Sequence, residues 1–177
     1  MKQLLKVTFF ILFLGLIHVQ AQSGDSTNYF KSVIEQAMIM GNSYVQKDYS
    51  TFVQFANPSW IAQSGGKQNI IAQMQQYEKE LQDMKSSFLS VTFSEPTKIV
   101  NLGTELQCIL VQLAIMKIPT GKLITKSPVI AISADKGVHW SFLYTAGKDL
   151  QTLRKLFPAI SKELIVPINE QPIFQPD

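Results

Sequence analysis

The chain has 177 residues, with 16 Lys and Arg against 13 Asp and Glu, and so carries a net charge of +3 near neutral pH. Its basic residues do not cluster with aromatic residues, so the composition gives no support to nucleic-acid binding. The single cysteine excludes an internal disulfide. A length of this order suits one domain with a full hydrophobic core.

Residues 1–21 predict a secretory signal peptide. Lys2 and Lys6 precede an almost continuous apolar run over residues 7–19, and a cleavage position with small residues lies just before Gln22. The run is too short for a comfortable transmembrane helix and no second one follows, so we expect no stable membrane insertion after cleavage. The mature chain would be close to neutral and exported, either to the periplasm or beyond the cell.

Three helices are predicted at the start of the mature chain. Apolar residues recur at helical spacing from residue 30 to about residue 47. A short second helix begins with Asp48 or Ser50 as its cap and is stopped at Asn57-Pro58, because the residue before a proline is pushed out of the helical region. The third helix spans residues 67–85 and has a glutamine-rich, charged outer face.

After residue 87, the spacing of the apolar residues changes from the helical period to the alternation that is typical of strands. Strands are predicted over residues 88–98, 105–118, 123–133 and 138–145, and the first is expected to be an edge strand or a bulged strand because it contains a proline. A short helix then extends to about Phe157, and residues 166–177 form an extended tail with three prolines. The prediction is one α+β domain over residues 22–165, in which three helices pack on an antiparallel sheet of about four strands.

The strand over residues 105–118 is apolar on both faces. Antiparallel sheets usually leave one face in water, so two apolar faces need two covers. The helices cover one face. The C-terminal segment would cover the other, or a second copy of the chain would do so in a homodimer through the sheet face.

The order of these elements resembles the nuclear transport factor 2-like superfamily over residues 29–148, and small secreted bacterial proteins of unknown function within it. The matching cues are Tyr44-Val45-Gln46-Lys47-Asp48-Tyr49 at the end of the first helix, the Asn57-Pro58 stop, and Gly65-Gly66-Lys67 at the start of the third helix. The resemblance implies a cone-shaped, SnoaL-like α+β fold with a curved sheet. It also implies a superfamily of cyclases, isomerases and non-catalytic binders that often dimerise through the sheet.

The segment Ser133-Ala134-Asp135-Lys136-Gly137-Val138-His139-Trp140 resembles one Asp-box, a hairpin motif of secreted sialidases. The resemblance implies a structural motif, since catalysis lies elsewhere in those enzymes and a propeller would need several copies. We expect Gly137 to take a positive φ, Asp135 to accept backbone N–H groups across the turn, and Trp140 to cover the hairpin. Ser133, Asp135, Gly137 and Trp140 are therefore predicted to form a structural turn.

Residue chemistry gives little support to catalysis. His139 is the only histidine after the signal peptide, which excludes a zinc site of paired histidines, and one cysteine excludes a site of several cysteines. Strand alternation places Val138, Trp140, Phe142 and Tyr144 on one face and turns His139 to the other. Cys108 lies in an apolar strand and is expected to pack in the core. No catalytic residue, metal or cofactor is predicted.

The predicted function is binding of a small apolar ligand between the helices and the sheet. The strand interiors offer Gln107 and Gln112 but no carboxylate to act as a general base. The residues expected to line the cavity are Tyr44, Trp60, Tyr77, Leu110, Trp140 and Tyr144. Two alternatives stay open: an isomerase or dehydratase acting in the same cavity, and an interaction module that uses the exposed sheet face.

Overall fold

The computed structural model describes residues 23–96, 98–145, 147–167 and 170–177. The predicted signal peptide lies outside these residues. The predicted α+β class is confirmed: helices precede and follow an antiparallel sheet. Within the described residues, no helix has the length and apolar character needed to cross a membrane.

Among the described residues, four helices precede the sheet, where the sequence predicted three. They are α1 (Ser23–Val45), α2 (Tyr49–Phe52), α3 (Pro58–Gln63) and α4 (Lys67–Asp83), and α5 (Leu150–Leu156) follows the sheet. Asn57-Pro58 was expected only to stop a helix, yet it also starts α3. Asn57 caps this helix by accepting a hydrogen bond from the Ser59 N–H at 3.0 Å, and Pro58 fits its first turn because no intrahelical N–H bond is needed there.

The sheet has six strands but is four strands wide. The strands are β1 (Ser87–Phe93), β2 (Ile99–Leu102), β3 (Glu105–Ile118), β4 (Gly121–Ser133), β5 (Ser141–Tyr144) and β6 (Ile173–Pro176). β1 and β2 pair with opposite ends of β3, while β5 and β6 pair with opposite ends of β4. The predicted strand over 88–98 is therefore two strands, separated by a connection that contains Pro96.

The centre of the sheet is a long hairpin formed by β3 and β4. The two strands pair without interruption from Leu106 opposite Ser133 to Ile118 opposite Gly121. Gly121 has a φ of 145°, and a Cβ at this position would collide with the backbone oxygen of Gln175 in β6. Glycine is thus required where the C-terminal strand joins the sheet.

The two faces of this hairpin carry separate cores. The helix-facing core contains Val33, Ala37, Met40, Phe52, Val53, Ile70, Leu106, Cys108, Leu110, Val129, Ala131, Trp140 and Phe142. On the opposite face, Ile109, Ile130 and Leu143 pack against Leu153 of α5 and against Ile160, and Leu164 joins this core. The C-terminal segment is therefore one cover of the second face, which is one of the two covers that the sequence left open.

A buried glutamine holds the C-terminal segment on the sheet. Gln107 is fully buried; its Nε2 donates to the Ala159 carbonyl at 2.8 Å, and its Oε1 accepts from the Ser161 N–H at 2.8 Å. These bonds replace the hydration that the amide loses on burial.

A second glutamine ties the hairpin before β5 to α1. Gln36 accepts a hydrogen bond from the Trp140 N–H at 2.8 Å and donates to the Val138 carbonyl at 2.9 Å, so its amide acts like a short piece of partner strand. Ser32 adds a bond from its hydroxyl to the Gly137 carbonyl at 2.8 Å. The helix and the hairpin are thereby joined through backbone groups.

The substitution Gln36→Leu tests this joint. It leaves the partly buried Trp140 N–H and the Val138 carbonyl without their side-chain partner, so we expect the free energy of unfolding to fall by about 1–3 kcal/mol. Urea unfolding followed by circular dichroism measures the loss. Gln73→Leu, on an exposed position of α4, is the matched control and should change stability little. Equal effects of the two substitutions would contradict the joint.

Candidate functional site

A cavity of about 240 Å³ lies between the helices and the sheet. Its lining residues are Tyr44, Phe52, Trp60, Met74, Phe88, Val91, Gln112 and Tyr144. They come from α1, α2, α3, α4, β1, β3 and β5. Because no single element forms the wall, the cavity exists only when the helices are packed on the sheet.

The wall is built mainly from aromatic rings that contact one another, either edge to face or stacked. The ring centroids of Phe52 and Tyr144 lie 6.2 Å apart and the rings are nearly parallel, whereas Trp60 meets Tyr144 at 69° and a distance of 6.3 Å. Tyr44 meets Phe88 edge to face at 5.1 Å. Edge-to-face and offset pairs are the favourable arrangements of aromatic rings. Such contacts restrict the positions that the rings can take around the space.

None of the described residues that line the cavity carries a charge. Burial raises the pKa of the Tyr144 hydroxyl, and the nearby Tyr44 raises it further. The pKa of Tyr44 is raised first by burial and then by Tyr77, Tyr49 and Glu78. Both phenols are therefore neutral across the physiological pH range, and their hydroxyls act as hydrogen-bonding groups rather than as bases.

The carboxylate that acts on Tyr44 is engaged outside the cavity. Burial alone would raise the pKa of Glu78, but hydrogen bonds from Lys47 and Gln82, together with the charge of Lys47, outweigh burial and lower the pKa. Lys47 and Glu78 form an ion pair, and the Gln82 amide donates to Glu78 at 3.0 Å. An ionised, paired carboxylate of this kind fastens α4 to the end of α1 and is a poor proton acceptor.

Gln112 is the lining residue that carries a side-chain amide. It lies on the helix-facing side of β3, between the buried Leu110 and Ala114. Its Oε1 is buried and has no hydrogen-bond partner among the described residues. A buried amide oxygen without a partner costs free energy. A ligand that donates a hydrogen bond to this oxygen would therefore be bound more tightly.

The structure brings together three of the six residues predicted to line the cavity, namely Tyr44, Trp60 and Tyr144. Leu110 is fully buried in the core next to it. Trp140 is also buried, but it borders a separate, more open groove beside His139. Tyr77 was expected in the wall and is 42% exposed instead. It lies at the edge of the narrow apolar stripe of α4, where Met74 takes the inward position.

Five lining residues were not predicted: Phe52, Met74, Phe88, Val91 and Gln112. Signals for them existed in the sequence. Phe52 and Met74 lay at apolar positions of predicted helices, and Gln112 shared a strand face with Leu110. Their common location depends on how four helices meet the sheet, which periodicity along one element does not contain.

The hairpin between β4 and β5 has the contacts expected of a structural turn. The Ser133 hydroxyl donates to the Asp135 carboxylate at 2.8 Å and accepts from the Gly137 N–H at 2.8 Å. Asp135 also accepts from the His139 N–H at 2.9 Å. Gly137 has a φ of 85°, and a Cβ there would lie 2.6 Å from the ring of Tyr29. Glycine therefore serves both the turn and its close contact with α1.

His139 lies outside the cavity. Its side chain is 83% exposed, and its Nδ1 is 2.6 Å from Asp135 Oδ2. β5 begins only at Ser141, so Val138 does not share the buried face that strand alternation predicted and is exposed instead. The thiol of Cys108 is buried in the core, and burial raises its pKa to about 12, which makes it unreactive. The described residues contain no cluster of potential metal ligands.

Comparison with protein-family models, with curated proteins and with solved structures gives no match to this chain.

The turn predicts a specific acid sensitivity. The hydrogen bond from the His139 N–H, with those from the His139 ring and Ser133, outweighs the opposing effect of burial and lowers the pKa of Asp135 from 3.8 to about 2. Because the pKa is lowered on folding, the stabilisation is present above about pH 4 and is lost as the pH falls towards 2. Asp135→Asn should lower the melting temperature at pH 6, and the difference from the unsubstituted protein should shrink between about pH 4 and 2.

Melting curves recorded by circular dichroism against pH measure this effect. Glu95→Gln, at an exposed position between β1 and β2, is the control that changes charge without changing the turn. A constant difference between the Asp135→Asn variant and the unsubstituted protein across this pH range would show that the carboxylate charge plays no part.

Proposed function

We propose that this protein reversibly binds small, neutral, mostly apolar molecules in the cavity between its helices and its sheet. The observation that carries the proposal is the combination of size and lining: a space of about 240 Å³ is lined by aromatic and aliphatic side chains and one glutamine, with no charged group among the described lining residues. Concave apolar spaces with one or two placed polar groups are the usual form of small-molecule sites. An engineered protein cavity of about 150 Å³ is already large enough for benzene.

The energetics favour a neutral ligand. An apolar molecule that enters the space loses its contact with water and gains dispersion contacts with the rings of Phe52, Trp60 and Tyr144. A charged molecule would lose its hydration without finding an opposite charge in the wall. The cavity therefore disfavours charged ligands, whatever their shape.

Catalysis in the same cavity has less support. An isomerase or dehydratase of the type considered from the sequence needs a general base that faces the substrate. The lining has no carboxylate or histidine among the described residues, and Glu78 is paired with Lys47. The pKa values of Tyr44 and Tyr144 are raised, so both hydroxyls stay protonated at neutral pH and are not available as proton acceptors. We therefore propose a binding protein rather than an enzyme.

Export, membership of the nuclear transport factor 2-like superfamily and homodimerisation stay predictions from the sequence. For the dimer, the half-buried Val111, Leu113 and Ile115 supply apolar surface on the second sheet face. The C-terminal segment covers the other end of that face and so reduces the area left for a second copy.

Filling the cavity tests the binding proposal. Met74→Trp places a larger side chain at the wall, and Met84→Trp makes the same change at an exposed position at the end of α4. Toluene and benzofuran should raise the melting temperature of the unsubstituted protein and of the Met84→Trp variant. At a ligand concentration 100 times the Kd the stabilisation is about 2.7 kcal/mol. In the Met74→Trp variant the shift should be absent or much reduced.

Differential scanning calorimetry over a series of ligand concentrations gives the measurement. The proposal fails if neither compound shifts the unsubstituted protein, or if the Met74→Trp and Met84→Trp variants respond alike.

A further inference from the structure

The side-chain amides of two glutamines in β3 differ in their hydrogen bonding. Gln107 faces the C-terminal segment, and both ends of its amide are hydrogen-bonded, to Ala159 and Ser161. Gln112 faces the cavity, and its Oε1 is buried without a partner among the described residues. The same strand therefore contains one satisfied amide and one that is left open at the wall of an apolar space.

An open amide in this place needs an explanation. A buried acceptor without a hydrogen bond is destabilising by an amount comparable to a whole hydrogen bond, and an aliphatic side chain of similar size would avoid that loss. The neighbours Leu110 and Ala114 on the same face show that apolar residues fit there. A ligand that fills the cavity lies against Gln112, and rotation about the broad terminal torsion of the side chain directs the amide oxygen towards it.

We infer that the ligand is a small planar aromatic molecule with one N–H or O–H donor, of the indole or phenol class, and that Gln112 Oε1 accepts the hydrogen bond from this donor. The inference rests on the proposed function, because it assigns a ligand class to the same cavity. Gln112 acts in it as a specificity-determining residue for binding.

The shape of the wall supports a planar ring. Phe52 and Tyr144 present nearly parallel rings, and Trp60 stands at a steep angle to both. A flat aromatic guest can pack offset against the first pair and edge to face with Trp60, which are the favoured geometries of such contacts. The volume of about 240 Å³ suits one substituted ring or a fused pair of rings.

The chemistry of the wall supports a donor on that ring. The hydroxyls of Tyr44 and Tyr144 are neutral and can either donate or accept, whereas the amide oxygen of Gln112 can only accept. A guest without a donor leaves this oxygen unpaired, and a site that hydrogen-bonds its ligand discriminates most strongly against an isostere that lacks the group. Selectivity between two guests of equal size and shape therefore isolates the contribution of Gln112.

Isothermal titration calorimetry with indole and benzofuran tests the inference, because the two molecules share shape and size and differ in the N–H group. The unsubstituted protein should bind indole about three- to tenfold more tightly than benzofuran. In the Gln112→Leu variant this preference should fall to about one, while benzofuran binds at least as tightly as before. Gln112→Met repeats the test with a flexible side chain of similar length, and melting curves show that both variants are folded.

The outcomes separate the inference from the function on which it rests. Failure of both guests to bind the unsubstituted protein removes the proposed function itself. Equal binding of the two guests by the unsubstituted protein overturns the donor requirement and leaves the binding function standing. A preference for indole that survives in both Gln112 variants overturns the role of Gln112.

Discussion

Both faces of the long hairpin of β3 and β4 need an apolar cover, and the helices and the C-terminal segment are arranged around it. Its two strands pair continuously from Leu106 and Ser133 to Ile118 and Gly121, and both faces carry apolar side chains that are stabilised by burial. The helices cover one face, and α5 with the following segment covers part of the other. Gln107 secures the second cover through Ala159 and Ser161, and Gln36 secures the hairpin before β5 to α1.

The cavity follows from how the first cover is built. The described helices before the sheet differ in length, and α1, α2, α3 and α4 each contribute a side chain to the space above the helix-facing side of the sheet. The space between them is closed by large rings that brace one another, as Trp60 and Phe52 do at 89°. Rings held in this way cannot collapse into the remaining volume as flexible side chains would. An apolar space is therefore left where α1, α3 and β5 converge.

Long, regular elements were predictable from the sequence, and short ones were not. β3 matches its predicted bounds because fourteen residues of apolar sequence end at clear turns. α3 has six residues, too few to show a period, and β2 was merged with β1 across Pro96. For the cavity, aromatic residues in predicted amphipathic elements indicated Tyr44 and Tyr144, and Trp60 was indicated as an aromatic residue between two predicted helices. Met74 lines the cavity and Tyr77 does not. This difference depends on how α4 is oriented on the sheet, which helical spacing does not determine.

The most direct test of a ligand site in this cavity is a crystal structure of the protein soaked with indole. We expect density for one planar molecule bounded by Trp60, Tyr144 and Gln112, with its nitrogen within hydrogen-bond distance of the Gln112 amide oxygen. A structure in which the protein's own side chains fill the space, with no guest between them, would show that this cavity is not a ligand site.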